Sequence, residues 1–129
     1  MSCELDIRCE PDYLHVQATG IRSMETVMAV AQESIKAIDE HGYNKILIDV
    51  QRMTGKLSNF SIYELGREDF EKIRGNTRFK AAVVDLEENR DRFRFFETVL
   101  VNSGYNIRFF SEAADARQWL GVSEDISNR

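Results

Sequence analysis

The first part of the chain alternates between apolar and polar residues. Its apolar positions fall on every second residue in two short stretches: Leu5, Ile7 and Cys9, then Leu14, Val16 and Ala18. A period of two is typical of a strand that buries one face. Pro11 and Asp12 separate the two stretches and favour a turn. The pattern therefore predicts an antiparallel hairpin.

Beyond Gly20 the spacing between apolar residues lengthens to three or four, which indicates helices alternating with buried strands. The first helix is predicted to begin after Ser23, a good N-cap residue, and to end at Gly42. Two nearly continuous apolar runs, KILIDV at residues 45–50 and FKAAVVD at residues 79–85, predict strands that are covered on both faces. A loop over Gln51–Lys56 and a second helix that ends near Gly75 are expected to connect these strands.

Two more helices and a last strand are predicted in the remaining residues. Asn89 is expected to cap a third helix that runs to Gly104, and Asn106–Phe110 is expected to form the last strand. Ser111 is expected to cap a short helix that ends at Gly121. The order β-β-α-β-α-β-α-β-α predicts an α/β fold, with a mixed, mostly parallel sheet of about five strands, an N-terminal hairpin and four helices.

Length and charge narrow the class of protein. A chain of 129 residues suits one domain, which we assign to residues 1–122, followed by a polar tail at residues 123–129. The net charge of −5 argues against nucleic acid as a partner. The sequence has no apolar run long enough for a membrane span and no signal peptide, so we expect a cytoplasmic protein without membrane insertion.

Candidate chemistry is sparse. Cys3 and Cys9 have no Cys or His partners at zinc-site spacing, and no phosphate-binding glycine motif is present, so we expect no metal and no cofactor. Asp49 and Asp85 are predicted to lie at the carboxyl ends of neighbouring parallel strands, where open α/β sheets bind their ligands. A magnesium site there is one interpretation, but aspartates at strand ends more often cap loops. We treat the two carboxylates as a candidate small-ligand pocket.

The third helix has more apolar residues than one buried face requires. Phe95, Val99 and Val101 widen its apolar arc beyond the side that contains Phe96 and Leu100. We take these three residues as a candidate interface for a protein partner or for a second copy of the chain, which would be a homodimer. The alternative is that a neighbouring helix covers them.

The order of elements, in a chain of this size, resembles the STAS domain of bacterial anti-sigma factor antagonists, which has the SpoIIAA-like fold. ILIDV at residues 46–50 is similar to the central strand of that family, and a gap-free count from Asp49 aligns Ser58 with its phosphorylated serine. The family motif at that serine is Asp-Ser-Ser-Gly, whereas this chain has Leu57-Ser58-Asn59-Phe60. Residues 94–120 resemble a less-studied branch of SpoIIAA-like proteins.

The resemblance implies a non-catalytic regulatory module that docks on another protein, with Ser58 as the candidate phosphoacceptor. Because three of the four motif residues are absent, we expect the phospho-switch to be lost or altered. In the chain itself, the sequence Ser61-Ile62-Tyr63-Glu64 forms a capping box, which predicts a helix start at Ser61 and a loop position for Ser58. A second hypothesis is a small-ligand protein that binds a nucleotide or a lipid. The similarity of the SpoIIAA-like fold to CRAL-TRIO lipid-binding domains implies an apolar site under the helices.

Overall fold

A computed structural model describes residues 3–74 and 78–122 of the chain. The strands are β1 (Cys3–Cys9), β2 (Leu14–Ile21), β3 (Lys45–Thr54), β4 (Lys80–Val84) and β5 (Ile107–Phe110). The helices are α1 (Met24–His41), α2 (Asn59–Glu64), α3 (Phe70–Arg74), α4 (Arg90–Asn102) and α5 (Ala113–Leu120). A π-helical turn, Leu65–Asp69, joins α2 to α3, and a 3-10 turn, Glu87–Asn89, precedes α4.

The strands form one sheet in the order β1-β2-β3-β4-β5. β1 and β2 are antiparallel, and every other neighbouring pair is parallel. The two apolar runs are direct neighbours, with Ile46 opposite Ala81 and Ile48 opposite Val83. The predicted α/β class, the hairpin and the mixed sheet of five strands are therefore confirmed.

The two faces of the sheet are covered unequally. Each parallel strand lies next to the one before it, so right-handed crossovers bring the intervening helices to the same face. On this face, which we call the covered face, the sheet contributes apolar side chains to three buried clusters: Leu14, Val16, Ala18, Ile46, Met53, Ala81, Val83 and Phe109. The opposite face is packed by α5, whose Ala116 and Leu120 contact Leu47 and Val84.

Both predicted ends of α1 are confirmed. The Ser23 hydroxyl accepts a hydrogen bond from the Thr26 amide at 3.0 Å, and the Thr26 hydroxyl accepts one from the Ser23 amide at 2.9 Å. At the other end, Gly42 has a φ of 72° in the left-handed region, where glycine avoids the strain of a side chain.

β3 is longer than its apolar run. The predicted loop over residues 51–54 is wrong, because the backbone continues as a strand to Thr54. The β2–β3 register shifts between Gln17 and Thr19, and beyond this bulge the polar end of β3 remains paired with β2. Hydrogen bonding to the neighbouring backbone extends the strand past the point where its apolar residues end.

Two helix starts and one cap differ from the prediction. α2 begins at Asn59 rather than Ser61, because the Ser58 hydroxyl accepts the Ser61 amide at 3.1 Å and caps the helix. Asn89 lies at the N-cap of α4 but donates its side-chain amide to Asp85 instead of capping. Glu112, not Ser111, is the N-cap of α5. The predicted helix end at Gly75 and the tail at residues 123–129 lie outside the described residues.

Candidate functional site

Asp85 lies at the predicted strand end, where its Oδ1 is occupied by structural hydrogen bonds. The residue follows β4, is buried, and accepts three hydrogen bonds at Oδ1. The donors are Nη2 of Arg22 at 2.9 Å, the Leu86 amide at 2.7 Å and Nδ2 of Asn89 at 2.9 Å. This carboxylate therefore fixes the turn between β4 and α4.

Arg22 is a site residue that no motif or spacing in the sequence predicts. Its guanidinium donates to the carbonyls of Val50, Met53 and Gly55 at 3.0–3.3 Å, in addition to the ion pair with Asp85. The side chains of Arg22 and Asp85 are only 13% and 8% exposed. The pair joins the ends of β2, β3 and β4 at one edge of the sheet, which we call the carboxyl edge.

Asp49 does not join Asp85 in a pocket. β3 continues for five residues beyond Asp49, which lies opposite Gln17 and Val84 within the sheet. Val84 packs against α5, so Asp49 shares the face opposite the covered one, and its Oδ1 accepts the Gln51 amide at 2.9 Å. The prediction of one strand-end pocket made by these two carboxylates is corrected: they lie on opposite faces of the sheet.

His15 occupies the same face as Asp49. Its ring lies 6.3 Å from the Tyr13 ring in a stacked arrangement. Burial lowers the pKa of His15, and the nearby charge of Arg8 lowers it further. This histidine is therefore held as a neutral packing group at physiological pH.

Ser58 and the outer side of α2 form an exposed surface at the start of the helical segment over residues 59–74. Phe60 is 71% exposed and Tyr63 is 45% exposed, while Ile62 between them is buried. The Arg67 guanidinium lies 5.5 Å from the centroid of the Tyr63 ring. We call Ser58, Phe60 and Tyr63 the α2 surface.

The apolar arc of α4 is partly covered by its own chain. Val99 is buried, and a side chain at Gly66 of the π turn would begin 2.6 Å from Val99 Cγ1. Val99 is therefore removed from the candidate interface, because the helical segment over residues 59–74 packs on it. Phe95 is half-buried and Val101 is 49% exposed, so these two residues remain as candidates.

A cavity of about 1030 Å³ lies between the covered face and the helices, the region in which the similarity to CRAL-TRIO domains implies an apolar site. Its floor includes Ile48 and Val83, and its roof includes residues of α1, α2, α3 and α4. The α2 helix packs on α4 and on the π turn rather than on the sheet, which leaves space beneath it. Hydrophobic runs in β3 and β4 predicted coverage of this face, but residue patterns alone do not fix how closely the helices approach the sheet.

Two general findings concern the part of the chain that the structure describes. No helix within residues 3–74 and 78–122 is long and apolar enough to cross a membrane. Within the same ranges, no three His, Cys, Asp or Glu side chains come together in a way that would hold a metal ion.

Comparison with known proteins identifies the fold. An anti-sigma factor antagonist from Mycobacterium paratuberculosis matches with a TM-score of 0.61 and 17% identity, over 93% of this chain and 95% of that one. An uncharacterized protein of the DUF3478 family with a SpoIIAA-like fold, from Shewanella loihica, matches with a TM-score of 0.50 and 20% identity, over 92% and 93% of the two chains. No family model matches this sequence, and the search of curated proteins gives no match. The predicted SpoIIAA-like fold is confirmed.

Proposed function

We propose that this protein is a non-catalytic regulatory module of the cytoplasm that docks on a partner protein through the α2 surface. The observation that carries this proposal is the exposure of Phe60 at 71%, beside Tyr63 at 45%. Large aromatic side chains are concentrated at protein interfaces, because they bury much area at little cost in conformational entropy. The fold shared with an anti-sigma factor antagonist is consistent with a docking role.

The charged side chains around the α2 surface indicate which charge the docking surface of the partner carries. Lys56 precedes it in the chain, Arg67 contacts the Tyr63 ring, and Arg92 donates to the Leu57 carbonyl at 3.1 Å. These three basic groups outnumber Glu64, the acidic residue of α2, and so complement an apolar pocket with an acidic rim. We therefore propose a protein partner with an acidic docking surface.

Ser58 remains the position at which the family would be phosphorylated, and we propose that this chain does not use it as a switch. Its hydroxyl already serves as the N-cap of α2, and the surrounding residues lack the Asp-Ser-Ser-Gly motif. Aspartate is also a good N-cap, so Ser58→Asp is expected to keep the helix while it adds charge.

We expect Phe60→Ser to reduce capture of the partner from native cell extract by tenfold or more, because truncation of a central aromatic residue at an interface commonly costs 2 kcal/mol or more. Val101→Ser is the matched control, since Val101 is also an exposed apolar residue but lies on α4. Quantitative mass spectrometry should find one protein, rich in acidic surface, that Phe60→Ser loses and Val101→Ser retains. Loss with Val101→Ser alone would move the interface to α4 and contradict the proposal. Phosphate at Ser58 in protein from native cells, found by phosphopeptide mass spectrometry, would contradict the absence of a switch.

The homodimer stays a prediction that rests on Phe95 and Val101. If these residues form a self-interface, light scattering should give twice the monomer mass, and Val101→Asp should return the protein to the monomer, because a charge at an apolar interface is costly to bury. Thr98→Asp, an exposed position on the same helix, serves as the control for added charge. A monomer mass for the unmodified chain at high concentration would contradict the prediction.

A second candidate function is the binding of a small apolar ligand beneath the helices. The specific observation that favours it is the cavity of about 1030 Å³, which lies at the upper end of the roughly 300–1,000 Å³ usual for small-molecule sites. Its location differs from the predicted pocket around Asp49, and its largely aliphatic and aromatic walls favour a lipid over a nucleotide. Ligand binding and docking are compatible, because the α2 surface is the outer side of a helix whose buried Ile62 lines the cavity.

A further inference from the structure

We propose that the cavity binds a single-chain amphipathic lipid with an anionic end group. The chain lies between the sheet and the helices, and the anionic group lies at the carboxyl edge beside Lys56 and Arg92. This inference rests on the second candidate function and adds the chemical class of the ligand and the side chains that select it.

The walls of the cavity select the chain of the ligand. β3 contributes Ile48 and Val50 to the floor, and β4 contributes Val83. On the helical side, Phe96 stacks on Phe70 with ring centroids 5.9 Å apart and lies 5.6 Å from the Phe109 ring. An alkyl chain can bury its apolar surface along these walls, whereas a small polar metabolite would leave most of them without contacts.

One wall of the cavity contains a buried hydroxyl group that is not hydrogen-bonded within the described residues. Ser34 of α1 lines the cavity and is 3% exposed, and its hydroxyl has no hydrogen-bond partner in the described part of the chain. Buried hydroxyl groups in a close-packed interior are nearly always hydrogen-bonded. The Ser34 hydroxyl therefore leaves a hydrogen-bonding group unused in the roof of the cavity, which is unusual for a close-packed interior.

The charges that line the cavity are unevenly distributed. Arg22 and Asp85 neutralise each other in their ion pair, whereas Lys56 and Arg92 add two positive charges near the same edge. Arg92 is held there by its bond from Nε to the Leu57 carbonyl, and its remaining donors are available to an anion. In a chain of net charge −5, this local positive pair favours an anionic end group.

The other lining charges do not compete for that role. The Lys80 ammonium donates to the Trp119 carbonyl at 2.6 Å and lies 4.4 Å from the centroid of that ring, next to α5 on the opposite face of the sheet. Arg78 and Glu71 carry opposite charges, so together they add no net charge to the lining. The anionic end is therefore assigned to the edge with Lys56 and Arg92.

Isothermal titration calorimetry with ten-carbon probes tests the assignment. Decanoate and decyl phosphate share the chain and differ in the anion, decanol supplies the chain without charge, and acetate supplies the charge without the chain. We expect one molecule of decanoate or decyl phosphate to bind at least tenfold more tightly than decanol, and acetate not to bind. The preferred anion identifies the headgroup as a carboxylate or a phosphate.

Variants separate the charge from the cavity. The double variant Lys56→Gln and Arg92→Gln should weaken binding of the anions at least tenfold and leave decanol unchanged, because it removes both charge-assisted bonds to the anionic group. Lys36→Gln on the exposed side of α1 is the matched control and should change nothing. Ile48→Trp should place a larger side chain on the cavity floor and weaken binding of every probe, charged or not. Ser34→Leu, on the roof, is a second obstructing variant if the first fails to fold.

Each failure has a distinct meaning. If neither the anions nor decanol bind, both the apolar-ligand function and this inference are overturned. If decanol binds as tightly as decanoate, or if the charge variant weakens both equally, the ligand function stands and the anionic assignment is overturned. If the anions bind to folded Ile48→Trp and Ser34→Leu variants as tightly as to the unmodified protein, they bind elsewhere and the inference is overturned.

Discussion

Asp85→Ala is expected to lower the free energy of unfolding by about 3 kcal/mol, which is the order found when one partner of a buried ion pair is removed. The substitution leaves the Arg22 guanidinium largely buried without its counter-ion. It also removes the acceptor that the Leu86 amide and the Asn89 side chain share. Urea unfolding followed by circular dichroism measures the change.

The exposed ion pair between Glu87 and Arg90 provides the comparison, because it is also a carboxylate paired with an arginine. Glu87 bonds Arg90 at the surface, and hydrogen bonds from Arg90 and Ser111 lower the pKa of Glu87 to about 2. Because solvent screens this pair, Glu87→Ala should change stability little despite the shifted pKa. Equal effects of Asp85→Ala and Glu87→Ala would contradict the structural role of the buried pair.

A double variant separates two contributions to the loss of stability. One is the loss of the ion pair, and the other is the burial of the Arg22 charge without its counter-ion. Arg22→Met combined with Asp85→Leu removes both charges, so the double variant should be more stable than the sum of the single effects predicts. The three carbonyls that Arg22 bonds lose their donor in this variant. Full recovery of the original stability is therefore not expected.

The elements with strong local signals were predictable, and those set by tertiary contacts were not. Ser23 and Gly42 mark the ends of α1 as the sequence predicts, since both act through hydrogen bonds within a few residues. β3 extends to Thr54 because β2 and the residue after it offer backbone partners from a distant part of the chain. The Arg22 amide, 32 residues before Thr54, donates to the Thr54 carbonyl at 2.8 Å. Short sequence patterns therefore predict the ends of α1 but not the extension of β3, which depends on a distant strand.

Side chains chosen from the sequence as caps show the same limit. Asn89 and Ser111 are both good N-cap residues, yet Asn89 donates to Asp85, and Ser111 bonds Glu87. In each case a carboxylate brought near by the turn after β4 competes with the helix amides. The prediction of the candidate site is wrong for a related reason: the apolar residues of β3 end near Asp49, whereas the strand itself continues to Thr54.

Gly66→Ala is expected to lower the free energy of unfolding by about 1–3 kcal/mol, the usual cost of forcing extra volume into a packed interior. In an ordinary helix the same change stabilises by roughly 1 kcal/mol, because alanine is the better helix former. Here the new methyl group would lie 2.6 Å from Val99 Cγ1 and 3.5 Å from Leu100 Cδ2. Valine in a helix has essentially one rotamer, so Val99 has no way to turn aside.

Val99→Ala in the Gly66→Ala background provides the matched test, because it removes the methyl group that obstructs the new one. Val99→Ala alone should destabilise through lost packing, whereas the double variant should be more stable than the two single changes predict when added. Thermal unfolding of the four proteins measures this coupling. Additive effects, or a stabilising Gly66→Ala, would mean that the π turn does not rest on Val99. Coupling would show that the π turn, which continues the helix bearing Phe60 and Tyr63, packs closely on Val99 of α4. This contact then acts together with the packing of α2 on α4 to support the helical roof of the cavity.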